Sequence, residues 1–167
     1  MRRFALVLAA GCSLGIGFDM PFDVPQLTIA GNPAAHAAAK PLSGAVAPFA
    51  LSVDLSQAEK QNDMAGVIHT VTLESAVFTI TNASGCFDFV DYVSFTIEST
   101  KPGTTLPPAV LATGAGPGCV QTFTLTPTSI DIKPYLDEGA TVSATASGVP
   151  PETNVTLDGR VVLHATI

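Results

Sequence analysis

An all-β fold, an antiparallel β-sandwich of seven to eight strands of immunoglobulin-like or related type, is what this sequence predicts. Three observations carry that expectation. Apolar residues recur at period two in short segments, the pattern of a strand with one buried face. The segments are punctuated by turn formers, with 14 Gly and 13 Pro in 167 residues. The aromatic content is nine Phe, two Tyr and no Trp, a composition suited to strands and poor for long helices. With 47% hydrophobic and 13% charged residues and a mean hydropathy of +0.42, the chain has the apolar content that disordered segments lack. Its length suits one domain, and neither an internal repeat nor a second domain is visible. A closed barrel is the alternative, but a membrane barrel needs a longer series of roughly ten-residue strands.

The first element is an address. Met1-Arg2-Arg3 is a positive n-region and Phe4 to Ala10 an unbroken apolar run, together the pattern of an export signal. The apolar stretch is roughly 15 residues even when extended through Phe18, short of the roughly 18 to 20 that span a bilayer as a helix. Leu8-Ala9-Ala10-Gly11-Cys12 resembles a bacterial lipobox, in which the Cys is lipidated and becomes the mature N-terminus. Residues 1–11 are therefore expected to be a lipoprotein-type signal peptide, Cys12 the lipidation site, and 12–167 a single sandwich domain. Plain secretion and an uncleaved N-terminus are the alternatives. Ser13 after the Cys resembles the outer-membrane sorting pattern.

The strands follow. Leu14, Ile16, Phe18, Met20, Phe22 and Val24 are apolar at even positions; Pro21 and Pro25 on the other parity point to an edge strand, because proline donates nothing to a central ladder. Residues 30–48 are rich in Ala, Pro and Gly and predict an irregular connection. Phe49, Leu51, Val53 and Leu55 alternate in a second strand. In the third, Val71, Leu73 and Val77 hold odd positions and Phe78 and Ile80 even ones, a change of phase that predicts a β-bulge. Val93, Phe95 and Ile97 form a fourth strand, Val110 to Thr113 a fifth, Phe123 and Leu125 a sixth, and Val142, Ala144 and Ala146 a seventh. From Val155 to Ile167 one parity is kept throughout, and Asp158-Gly159 predicts a kink or bulge rather than a hairpin turn. Single helical turns are expected near Phe87 to Tyr92 and Asp131 to Leu136. The predicted core is Phe18, Phe22, Leu51, Val53, Val71, Leu73, Phe78, Ile80, Phe95, Ile97, Phe123, Leu125, Leu157, Val161 and Leu163.

Three segments, Gly17-Phe18-Asp19-Met20-Pro21-Phe22-Asp23-Val24-Pro25, Asp131-Ile132-Lys133-Pro134-Tyr135-Leu136-Asp137-Glu138-Gly139-Ala140 and Val155-Thr156-Leu157-Asp158-Gly159-Arg160-Val161-Val162-Leu163, resemble those of a group of uncharacterised bacterial cell-envelope lipoproteins with a β-sandwich-like domain. The resemblance extends over most of the chain after Cys12. It implies a cell-envelope β protein and supplies no catalytic residues.

The chemistry sought in the motifs is sparse. A formal charge of −7 lacks the basic footprint of nucleic-acid binding. Gly11-Cys12-Ser13-Leu14-Gly15 matches a nucleophile-elbow pattern, but it spans the predicted cleavage site rather than a strand-to-helix turn. Gly114-Ala115-Gly116-Pro117-Gly118 is followed by none of the Lys or Ser/Thr of a phosphate loop and is expected to be a flexible hairpin loop. His36, His69 and His164 have no ligand partner at i+2 or i+4; His69 shares parity with Val67 and Val71 and is expected to be partly buried. Asp88 and Asp91 near Cys86, and Asp137-Glu138, fit a solvated acidic face better than the ordered oxygen loop of a calcium site. The sequons at Asn82 and Asn154 are treated as chance. No catalytic residue, metal site or cofactor is predicted.

The cysteines are more informative. With Cys12 lipidated, Cys86 and Cys119 remain as an even pair in a compartment that permits disulfides, each in a turn at a strand end. The functional expectation is a non-enzymatic, envelope-anchored lipoprotein acting as a structural or protein/glycan interaction module. Its expected partners are the membrane, through the N-terminal lipid, and an envelope protein or glycan; its expected place is the outer membrane of a bacterial cell envelope, with a periplasmic or secreted form as the alternative. A carrier of a hydrophobic ligand such as lipid is the alternative, because Ala144 and Ala146 opposite large Phe side chains leave room for a cavity.

Overall fold

The computed structural model describes residues 17–39, 41, 45–51, 68–82 and 85–167. The readings on the signal segment 1–11, on Cys12, Ser13, Leu14 and Ile16, and on Val53, Leu55 and Val67 fall outside these residues. Among the described residues no helix is long and apolar enough to cross a membrane.

The described residues form eight strands: β1 Gly17–Ile29, β2 Ala45–Leu51, β3 Thr70–Ile80, β4 Val90–Ser99, β5 Ala109–Ala115, β6 Thr122–Pro127, β7 Ala140–Gly148 and β8 Val155–Thr166. They are hydrogen-bonded in the order β1-β8-β3-β6-β5-β4-β7-β2, and every pairing is antiparallel. The β5/β6 junction has only two register pairs, Ala112 with Pro127 and Thr113 with Thr126. Here the ladder folds over, so that β1-β8-β3-β6 faces β5-β4-β7-β2 as a curled sandwich. Each sheet draws alternate strands from both halves of the chain, the strand order of a jelly roll. The sandwich expectation therefore holds, in its related form rather than with immunoglobulin strand order.

The edge strand is where the prolines placed it: β1 pairs with β8 alone. Its inward face begins on even positions, with Met20 buried and Phe18, Phe22 and Val24 half-buried. A register shift between Val24 and Leu27 then moves it to Leu27 and Ile29. The bulge expected in β3 exists but lies between Leu73 and Ser75, earlier than the sequence suggested. Val77 is consequently an outward residue, in register with Arg160 and Thr124, and Ala76 takes the buried place.

Gly159 corrects another expectation. In β8 the residues from Val155 to Thr166 run without a break, and both irregularities of its ladders lie on the partner strands. Gly159 faces Val24 on one side and Phe78 on the other. A Cβ there would stand 2.7 Å from Phe78 Cε1 and 2.9 Å from Val24 Cβ. The glycine is required by the volume of the neighbouring ring, not by a kink.

Between the sheets, Phe78 of β3 meets Phe95 of β4 edge-on, with ring centroids 5.3 Å apart. Phe95 pairs with Ala144, so the aromatic ring occupies the room beside the small residue from which a cavity was expected. Val71, Leu73, Ile80, Phe95, Ile97, Phe123, Leu125, Leu157, Val161 and Leu163 are buried, with Phe18, Phe22 and Phe78 packed partly against them. Leu51 is in register with Ala140. The core also contains Ile68, Phe87, Phe89, Ile132 and Tyr135, which lie outside the strands. His69 is exposed and Ile68 buried, because the chain becomes a strand only at Thr70 and the alternation does not reach back.

Among the described residues helix is limited to short turns. A 3-10 turn, Phe87–Phe89, and α2, Lys133–Glu138, occupy the two places expected. The connection 30–48 is not wholly irregular, since it contains α1, Pro33–Ala37, and the start of β2. Asn32 caps α1 through a bond from Ala35 N–H and Pro33 opens it, the arrangement favoured at helix N-termini.

Candidate functional site

Four connections meet at one end of the sandwich, through their described residues 30–39, 81–82 with 85–89, 116–121 and 149–154. Polar links tie them together. Asn32 N–H donates to Pro151 O at 2.8 Å, and His36 Nδ1 lies 2.9 Å from Pro150 O. Asn154 Oδ1 accepts from Gly31 N–H, while Asn82 donates to Asn154 O and accepts from Thr156 N–H. Both sequon asparagines thus serve as loop fasteners. Cys86 and Cys119 are joined in a disulfide with Cα atoms 4.8 Å apart, and beside it Phe87 N–H donates to Val120 O at 3.0 Å.

These loops frame an open cleft of about 120 Å³, lined by His36, Gly85, Cys86, Asp88, Pro151, Glu152, Thr153 and Val155. Ligand atoms of Cys86, Asp88 and Cys119 lie within 4.8 Å of one another. The two sulfurs are bonded to each other, and the thiolate that would ligate a metal is therefore not available. Of the expected glycine-rich loop, Gly114 belongs to β5 and is buried. A Cβ on it would come 2.5 Å from Phe123 Cζ, so close packing, not loop freedom, requires glycine there.

The opposite end is locked by carboxylates. Glu138 accepts from Ser99 Oγ at 2.8 Å, Thr104 Oγ1 at 2.6 Å and Lys101 Nζ at 3.1 Å. These bonds, those from Thr104 and Ser99 foremost, lower its pKa to about 2. Asp137 pairs with Lys133 at 2.6 Å. Asp131 Oδ1 accepts from the N–H groups of Val71 and Lys133. Glu138 thus ties α2 to β4 and the loop that follows it, while Asp137 is paired within α2 itself.

The two outer sheet faces differ. On β1 and β8, Asp19 pairs with His164 at 2.7 Å, Gln26 donates to Asp158 at 3.1 Å, and Asp23 stands in register with Arg160. On β4, β5 and β7 the outward positions are mainly hydroxyls: Ser94, Thr96, Thr113, Thr141, Ser143, Thr145 and Ser147. Tyr92 and Val110 are exposed in the same array, at 45% and 43%. This face was not singled out from the sequence. The alternating Ser and Thr were visible in each strand, but only the register between strands assembles them.

No family model and no curated protein matches the sequence. Among solved structures, the chain is similar to the decameric BFDV capsid protein, at 11% identity over 91% of this chain and 98% of that one, with a TM-score of 0.47. It is also similar to turnip yellow mosaic virus, at 14% identity over 98% of this chain and 87% of that chain, with a TM-score of 0.32. A 60-mer BFDV capsid protein matches at 10% identity over 93% and 95%, with a TM-score of 0.38. Likenesses at these scores carry no inference about what the chain does.

Proposed function

We propose that this chain is an exported, non-enzymatic interaction module of the bacterial cell envelope, held at the membrane by an acylated Cys12 and displaying its sandwich to an envelope protein or glycan. The observation that carries the reading is the Cys86–Cys119 disulfide, because such bonds form and persist in oxidising compartments. It agrees with the positive n-region, apolar run and lipobox-like Cys12 at the start of the sequence. The contacts of the ionisable groups support a structural role: His36 bonds a loop carbonyl, His164 an aspartate on the neighbouring strand, and Glu138 two hydroxyls and a lysine.

Acylation is tested by growing expressing cells with an alkyne analogue of palmitate. The wild type is expected to be tagged and to enter the detergent phase, whereas Cys12→Ser is expected to be untagged and to stay in the aqueous phase. Equal partition of the two proteins would overturn the anchor. Reduced cysteines at 86 and 119 in protein alkylated within intact cells would overturn export itself.

A further inference from the structure

We infer that the outer face of β4, β5 and β7 is a binding surface for a neutral polysaccharide, an inference that rests on the proposed role as an exported interaction module. The face is organised in rows across the strands. Tyr92 stands between Ala115 of β5 and Ser147 of β7; Ser94 between Thr113 and Thr145; Thr96 between Val110 and Ser143; Glu98 opposite Thr141. Strands are about 4.8 Å apart and alternate residues about 6.7 Å apart along a strand. The hydroxyls therefore repeat on the scale of a sugar ring.

Three features point to a sugar chain. The first is free hydrogen-bonding capacity. Thr145 Oγ1 reaches Ser94 O at 3.5 Å, but the hydroxyls of Ser94, Thr96, Thr113, Thr141, Ser143 and Ser147 bond no other group among the described residues. A Ser or Thr hydroxyl both donates and accepts, which complements sugar hydroxyls that do the same. The second is Tyr92, 45% exposed and flanked in register by the small residues Ala115 and Ser147. Small neighbours leave the ring open to stack on the C–H face of a pyranose, while its phenolic end stays wet. The third is charge. The net charge of the chain is −7, yet the rows from Tyr92 to Thr96 carry no ionised side chain, and the acids Asp91 and Glu98 bracket them on β4. Anionic polymers are repelled by this arrangement and neutral ones are not.

A protein partner fits less well. Protein interfaces have a desolvated apolar centre and are depleted in Ser, whereas here Tyr92 and Val110 belong to different rows with hydroxyls between them. Single contacts of this kind are weak, and an extended polymer gains by engaging several rows at once.

The test is native affinity electrophoresis of the full chain, solubilised in neutral detergent, through gels containing hydroxyethylcellulose, dextran, galactomannan or the polyanion alginate. At least one neutral polymer is expected to retard the protein. Tyr92→Ala and, separately, Thr145→Glu are expected to weaken that retardation about tenfold or more, the scale of a hot-spot residue. Thr124→Glu, on the outer face of the other sheet, is expected to leave it unchanged. Thr145 and Thr124 are both exposed, and equal melting temperatures of their variants verify folding should Tyr92→Ala destabilise the sheet. No retardation by any of the three neutral polymers, retardation by alginate alone, or undiminished retardation of both face variants would each overturn the inference. So would Thr145→Glu splitting an oligomer while the gels stay unchanged, which would assign the face to a second copy. Cys12→Ser is expected to bind as the wild type does, so loss of the anchor and loss of the glycan face are read separately.

Discussion

Replacing Cys86 and Cys119 together by Ala should destabilise the protein mainly through its unfolded state. The bond closes a loop with a sequence separation of 33, containing the 3-10 turn, β4 and β5. In the chain-entropy treatment a loop of this length corresponds to about 3.7 kcal/mol. Little native packing is lost on top of that, because Cys119 is exposed and Cys86 half-buried. Other contacts keep the loop ends together once the sulfurs are gone: Phe87 N–H bonds Val120 O at 3.0 Å, and the Phe87 ring lies 5.5 Å from that of Phe123. The folded geometry should persist while the unfolded chain gains freedom. Urea unfolding of wild type and double variant, with and without reductant, measures the effect. The expected loss is about 3 to 4 kcal/mol, with a midpoint temperature lower by roughly 7 to 15 °C. The denaturant slope should rise in the variant, because an unfolded chain without the cross-link exposes more surface. Reductant should bring wild type to the variant and leave the variant unmoved. A loss below about 1 kcal/mol, or alkylation of Cys86 and Cys119 in denatured protein that was never reduced, would refute the reasoning.

Two further outcomes follow from the packing and the carboxylate cluster. Gly159→Ala places a methyl 2.7 Å from Phe78 Cε1 and 2.9 Å from Val24 Cβ, and overpacking of this kind should cost about 1 to 3 kcal/mol; an unchanged urea midpoint would show that the ring can move aside freely. Glu138 has its pKa lowered from 4.5 to about 2 by hydrogen bonds from Thr104, Ser99 and Lys101. Its contribution is therefore complete above pH 4.5 and is lost as pH falls toward 2. Melting temperatures of wild type and Glu138→Gln should converge across that window, and parallel curves would remove Glu138 from the acid limb.

Much of the strand content was legible because burial on one side of a sheet imposes alternation on the chain itself. Phe95 and Ile97, Phe123 and Leu125, and the odd residues of β8 all turned inward on that basis. Pro21 and Pro25 marked the edge because a missing N–H is a local property, visible without knowing the neighbour. The buried residues of the turns were not legible in the same way. Phe87, Phe89, Ile132 and Tyr135 enter the core from single helical turns, where no period has room to develop. Tyr135 is settled by a bond from its hydroxyl to Pro107 O at 2.7 Å, a partner 28 positions away in the chain. The short helix α1 had a signal in Asn32-Pro33, but a cap before five residues is weak against an Ala- and Gly-rich background.

Alternation, prolines and cysteine placement are enough to show an all-β chain, where most strands run, that β1 lies at an edge and, with Cys12 set aside for lipidation, that Cys86 and Cys119 pair. Each of these depends on side chains acting within one strand or on simple elimination among few candidates. Strand order, the place of the β3 bulge, the role of Gly159 and the hydroxyl rows of β4, β5 and β7 were decided only by the tertiary structure. The physical reason is that strands join through backbone N–H and C=O groups that every non-proline residue carries alike, so alternation records which face is buried but not which strand lies alongside. That choice is made by packing between distant segments, such as Phe78 lying across Gly159 against Phe95, and register then follows from it.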